Sequence, residues 1–174
     1  MDVPPAFAVG AEFDRTPPHN LEAELIVLGA MMYGSGAVAA IVETGLGPMD
    51  HYRPAHQMIH AAILGLYGRG EPPDSVAVAE ELFKAGELAR CGGAPYLHTC
   101  MASVPTAANG PYYARMVREK AVLRRLIEAG TRTVQLGYES GDGQLEDTVA
   151  RAGLEFDKIA AQVDTGSLEV VQPY

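Results

Sequence analysis

The chain has 174 residues, long enough for one domain with a real core or a domain plus an appendage, and its 48% hydrophobic and 20% charged residues are ordinary for a soluble globular protein. Its 22 acidic residues outnumber 13 basic ones, giving a formal net charge of -9, and that sign leaves weak or no direct DNA binding, because phosphate contacts need clustered cations. Two cysteines, Cys91 and Cys100, exclude a disulfide framework; with no secretory signal and no apolar run of membrane-spanning length, the expected location is the cytoplasm.

Residues 1–16 hold Pro4 and Pro5 and show no sustained period, so a flexible tail is expected there. Pro17-Pro18-His19-Asn20 then starts a helix. Asn20 suits the N-cap, Glu22 and Glu24 fall in the first turn where the helix dipole favours acids, and Leu21, Leu25, Leu28 and Met32 supply a core stripe. Gly34-Ser35-Gly36 breaks it before a short helix over 37–43. The next helix runs from about Arg53 to Tyr67, with Ile59, Ile63 and Leu66 inward. A glycine- and proline-rich loop ends at Asp74, a cap for a helix that carries Val76, Val78, Leu82 and Phe83 and closes at Gly86. After Cys91-Gly92-Gly93, Pro95 starts a short helix with Tyr96, Leu97 and Met101.

Asn109-Gly110-Pro111 opens the longest helical run, which reaches about Tyr138. It carries Arg115, Arg118, Lys120, Arg124, Arg125 and Arg132, 6 of the 13 basic residues, interleaved with Glu119 and Glu128 as on a solvated or salt-bridged face. Met116, Leu123, Ile127, Val134 and Tyr138 lie on one stripe. Beyond a short breaker, 139–143, where Asp142 is available as a cap, Leu145, Val149, Ala152, Phe156, Ile159 and Val163 mark the seam of a helix that packs lengthwise on a partner. Two facing stripes use only part of each helix, so the rest predicts a further protein partner. The expected fold is all-α, a small globular helical bundle (17–111) followed by a long antiparallel helical hairpin (112–163) and a tail or linker start (164–174). Only the run 168–171 has strand character.

Catalytic motifs are missing. Of three lysines none follows a glycine, so no Walker A phosphate loop is present. His51, His56 and His60 fall close together, and His56 and His60 stand at i, i+4, a spacing that holds zinc when a third ligand arrives. The candidates, His98, Cys91 and Cys100, have no diagnostic spacing, so packing and hydrogen bonding are the expected roles, with no metal and no cofactor. The cysteines match no redox motif. Tyr112 and Tyr113 beside Arg115 could stack a base, but aromatic residues at a helix start more often anchor a core.

Three stretches together resemble one family. PPHNLEAELIVLGAMM, HYRPAHQMIHAAILGLYGRGEPPDSVAVAEEL and YLHTCMASVPTAANGPYYARMVREKAVLRRLI are similar, in order and spacing, to the N-terminal domain of the bacterial replicative DNA helicase, the DnaB family. The resemblance covers roughly residues 17–160. It implies a helical bundle and hairpin that self-associates as a dimer, with a hexameric collar built as a trimer of dimers, and that docks the primase C-terminal domain or helicase subunits. It places Leu123, Ile127, Val134, Val149, Phe156 and Ile159 at hairpin and dimer contacts, and Arg118, Arg124 and Arg125 on the exposed surface as candidate partner contacts.

The family's motor domain, with its phosphate loop and arginine finger, has no counterpart here, so ATP hydrolysis and unwinding are not expected of this polypeptide. Either an excised collar domain or a stand-alone collar-like protein fits, and a full length of 174 residues leads us to expect the second. The alternative function is a regulator or scaffold that no longer acts in the primosome. Gly130, Gly137 and Gly153 interrupt helices at ~1 kcal/mol each relative to alanine, either loosening the hairpin or permitting close helix approach.

Overall fold

The computed structural model describes residues 15–164; most of the expected N-terminal tail, and residues 165–174 with the strand-like run, lie outside the described residues. Within them are seven α-helices and no strand: α1 (Leu21–Met31), α2 (Ser35–Val42), α3 (Pro54–Gly68), α4 (Ser75–Lys84), α5 (Gly93–Ala102), α6 (Gly110–Glu139) and α7 (Leu145–Asp164). Short 3-10 turns at Pro48–Asp50 and Ala107–Asn109 lead into α3 and α6. The all-α fold expected from the sequence is the fold observed.

Helix α1 is the axis of the bundle. Asn20 caps it, its side chain accepting the Ala23 N–H at 3.0 Å, which satisfies one of the orphan donors of the first turn. Eight of its eleven residues are buried, so the stripe of Leu21, Leu25, Leu28 and Met32 understates the burial. Leu28 and Met32 are in the core, while Leu21 and Leu25 are only half-buried. The deeper contacts come from Val27, Ala30 and Met31, because α2, α3, α5 and α6 surround α1.

Small residues let those neighbours come close. A Cβ on Gly29 would stand 2.1 Å from the Cys100 carbonyl oxygen and 2.5 Å from the Val104 side chain, so α5 lies directly against the α1 backbone. At Gly110 a Cβ would meet Ile41 at 2.9 Å and Ala30 at 3.2 Å, which seats the start of α6 on α1 and α2.

The remaining short helices follow their local signals. Pro54 opens α3, whose Ile59, Ile63 and Leu66 are buried. Asp74 caps α4 by accepting the Val76 and Ala77 N–H groups, each at 2.9 Å. Val78 and Leu82 turn inward from α4, and Val76 and Phe83 remain exposed.

The division drawn at 111/112 coincides with the start of α6 but not with a break in packing. Gly110, Ala114, Val117 and Ala121 are all buried, and Ala114 and Val117 belong to the core around α1. One continuous helix therefore completes the bundle with its first turns and forms the hairpin with its last. Tyr113 packs on the same core, whereas Tyr112 is exposed. The close-approach role for Gly130, Gly137 and Gly153 does not hold within the chain, since a Cβ at any of them meets nothing within 4 Å.

The contrast between the glycines is testable by chemical denaturation. Gly29→Ala should destabilise the chain by about 3 kcal/mol or more, because backbone rather than a flexible side chain must move. Gly130→Ala should leave it unchanged or stabilise it by up to ~1 kcal/mol through helix propensity alone.

Candidate functional site

Helices α6 and α7 form the antiparallel hairpin, closed by Gly143 with φ +84 and by a hydrogen bond between the Ser140 and Thr148 hydroxyls. Arg132 reaches across to Glu155 at 2.9 Å, and Lys158 joins the same carboxylate at 3.2 Å. A two-helix unit cannot cover its own apolar residues. Leu123, Leu126, Ile127, Val134 and Tyr138 on α6, and Leu145, Val149, Leu154, Phe156 and Val163 on α7, are all exposed, with Tyr138 at 83% and Leu145 at 72%. Ile159 is half-buried. Five of the six residues singled out for the hairpin interface thus carry exposed apolar surface, an unusual density for a solvated helix pair.

The three arginines expected on the exposed surface are instead half-buried and engaged within the chain. Arg118 donates to the carbonyls of Thr44 at 3.2 Å and Gln162 at 2.7 Å. Arg124 donates to the carbonyls of Pro18 at 2.7 Å and Asp50 at 2.5 Å, and lies 5.6 Å over the Tyr52 ring. Arg125 donates to the Gln162 side chain at 3.0 Å and pairs with the buried Asp50 carboxylate. The reason is geometric. The planar guanidinium can serve two acceptors at once, and the loop ahead of α3 and the end of α7 both present acceptors to this face of α6.

Beneath that face lies a polar cluster that sequence patterns only half disclose. Glu24, His51, His56 and His60 are all at most 1% exposed. The Glu24 carboxylate accepts the Tyr52 N–H at 2.7 Å and approaches His56 Nδ1 at 2.5 Å. Since a carboxylate only accepts, His56 carries its proton on Nδ1, and its Nε2 meets the Tyr96 hydroxyl at 2.7 Å. His51 Nε2 pairs with His60 Nδ1 at 2.8 Å.

Burial opposes ionisation of Glu24, but the His51 and His56 imidazoles and the Tyr52 N–H outweigh it and hold its carboxyl well below the usual range. Burial also holds His60 down to about 3, and the neighbouring His51 ring acts in the same direction. The residues weighed as a third ligand do not join the cluster: His98 is exposed, and Cys91 and Cys100 are free, buried thiols outside it. Among the described residues His51 and His56 converge on Glu24. The sequence placed Glu24 as a first-turn acid and gave no sign that the residue faces inward.

With this geometry in view, comparison with known proteins defines the class. The profile of the DnaB-like helicase N terminal domain matches residues 16–119. The chain belongs to that family. It is 53% identical over 159 residues to the replicative DNA helicase DnaB of Mycobacterium leprae, covering 91% of this chain and 26% of that protein. It is 42% identical over 159 residues to the replicative DNA helicase DnaC of Bacillus subtilis, covering 91% of this chain and 35% of that protein. A crystal structure of the N-terminal domain of DnaB helicase from Mycobacterium tuberculosis matches with a TM-score of 0.76 at 55% identity, over 82% of this chain and 99% of that one. The chain therefore spans about a quarter to a third of the length of these full-length helicases. No helix among the described residues is long and apolar enough to cross a membrane.

Two outcomes check the buried polar groups and thiols of the bundle. Glu24→Ala should cost about 3–5 kcal/mol in urea unfolding, since it strands the His56 and Tyr52 donors in the interior. Burial pushes the Cys100 thiol up to about 12 and raises Cys91 as well, so both should resist a disulfide reagent at neutral pH until the chain unfolds.

Proposed function

We propose that this chain is a non-catalytic assembly module of DNA replication, which self-associates through the α6–α7 face and presents the resulting collar to primase or to helicase subunits. The observation that carries this reading is the exposed apolar stripe of the hairpin. Leu123, Ile127 and Val134 on one helix and Val149 and Phe156 on the other leave water only if a second apolar surface covers them. Antiparallel helices joined by a tight turn offer that stripe along their length, and a second copy presents the same stripe. The contact is then isologous and closes as a dimer, three of which make a six-membered collar, a trimer of dimers. Family membership supplies the replication context.

The arginines have a different part in this scheme. Because Arg118, Arg124 and Arg125 already bind the loop ahead of α3 and the end of α7, they fix the angle at which the hairpin leaves the bundle rather than reaching a partner.

Light scattering tests the reading. The chain should have the mass of a dimer or a larger even assembly, and added primase C-terminal domain should increase it. Leu123→Asp or Phe156→Asp should weaken self-association by at least about 100-fold, since each buries a charge without a partner, while helical circular dichroism stays unchanged. Assembly by both variants at wild-type strength would sink the interface. A dimer indifferent to primase would favour a regulator or scaffold outside the primosome.

A further inference from the structure

Three donor atoms from separate stretches of chain meet inside the bundle. Glu24 from α1, His51 from the loop ahead of α3 and His56 from α3 itself are all buried and each offers one donor atom within 4.8 Å of the others; Glu24 Oε2 stands 2.5 Å from His56 Nδ1 and 3.7 Å from His51 Nδ1. Imidazole nitrogen and carboxylate oxygen are donors that zinc and its divalent neighbours take.

Two features set this cluster apart from a polar core that has merely satisfied itself. First, His51 Nδ1 is buried without a hydrogen bond, although it stands 3.7 Å from the Glu24 carboxylate. A buried nitrogen without a partner loses its hydration for nothing in return. Second, each imidazole is oriented through its far nitrogen: His51 by His60 at 2.8 Å, and His56 by the Tyr96 hydroxyl at 2.7 Å. Outer contacts of this kind fix the ring plane and tautomer of metal-binding histidines.

We propose that Glu24, His51 and His56 form a binding site for one divalent cation of the zinc type, which ties α1 to the loop and the first turn of α3. In the metal-free chain a proton lies between Glu24 and His56. The incoming cation takes that proton's place at Nδ1, the imidazole carries its one proton on Nε2 instead, where the Tyr96 hydroxyl oxygen accepts it, and His51 Nδ1 gains the partner it lacks. Donors around a tetrahedral zinc stand about 3.3 Å apart. The 2.5 Å contact therefore widens and the 3.7 Å contact closes, and a small swing of the Glu24 carboxylate accomplishes both. Because solvent does not reach the three residues, the ion is taken up as the chain folds.

The test is to unfold the full chain, refold it with one equivalent of Zn2+ or Co2+, and dialyse it extensively. Elemental analysis should find one ion per chain. The cobalt form should show visible absorption distinct from that of the hydrated ion, and thermal unfolding should move up by several degrees. His51→Gln removes Nδ1 but leaves an amide near the position from which Nε2 meets His60; it should retain at least tenfold less metal. His98→Ala, at an exposed histidine, should retain as much as wild type.

X-ray absorption on the zinc-loaded wild-type chain gives a reading that does not depend on whether any variant folds. Two imidazoles and a carboxylate oxygen in the coordination shell would support the site. A refolded chain without metal, a different ligand set, or full retention by His51→Gln would overturn it. None of these results bears on self-association through the hairpin, which stands or falls separately.

Discussion

A single carboxylate organises the interior. Glu24 sits in the first turn of the most buried helix, where an unbalanced negative charge would be prohibitively expensive. Its neighbours have to answer it: the Tyr52 N–H from the approach to α3 and His56 from the first turn of α3, with the dipole of α1 itself favouring the charge. That demand fixes where the loop between α2 and α3 crosses α1. It also sets the position of α3, and through Tyr96 it reaches α5. The apolar packing around Val27, Ala30 and Met31 supplies most of the stabilisation, while the carboxylate supplies the registration. Non-directional burial tolerates many arrangements, and one charge with few acceptable partners tolerates very few.

A second polar layer carries that registration outward. Asp50 is buried, accepts the Gly47 N–H at 2.7 Å and pairs with Arg125. Arg125 also holds the Gln162 side chain, and Arg118 holds the Gln162 carbonyl. The end of α7 is therefore bound to the same loop that Glu24 positions. Bundle and hairpin share a helix and are joined again at the far end of the chain, which closes a loop of constraints around the base of the hairpin.

Local signals in the sequence disclosed most of the fold. Caps at Asn20 and Asp74, glycine breaks at Gly34, Gly86 and Gly92, and the heptad-like spacing of α7 each depend on residues a few positions apart, and each was legible. What was hidden depended on the third dimension. A glutamate two residues into a helix satisfies the dipole rule whether it faces water or core, so Glu24 gave no warning of its burial. The arginines of α6 read as a solvated face because their acceptors, mostly backbone carbonyls from distant loops, leave no mark in composition. Gly29 was equally silent, since its role lies in the α5 backbone resting against it.

Continuity of α6 has a mechanical consequence. Its 30 residues make a rod of about 45 Å, clamped in the bundle at one end and free of it at the other. With no flexible joint between the two parts, the rod works as a lever. Tilting the bundle by some 10° would carry the hairpin tip through about 8 Å, estimated from the helical rise. Any change in the width of an assembly built from such hairpins must therefore be paid out at the contacts between copies, or as bending where Gly130 and Gly137 thin the rod. A small rotation at the base is amplified along the rod rather than absorbed.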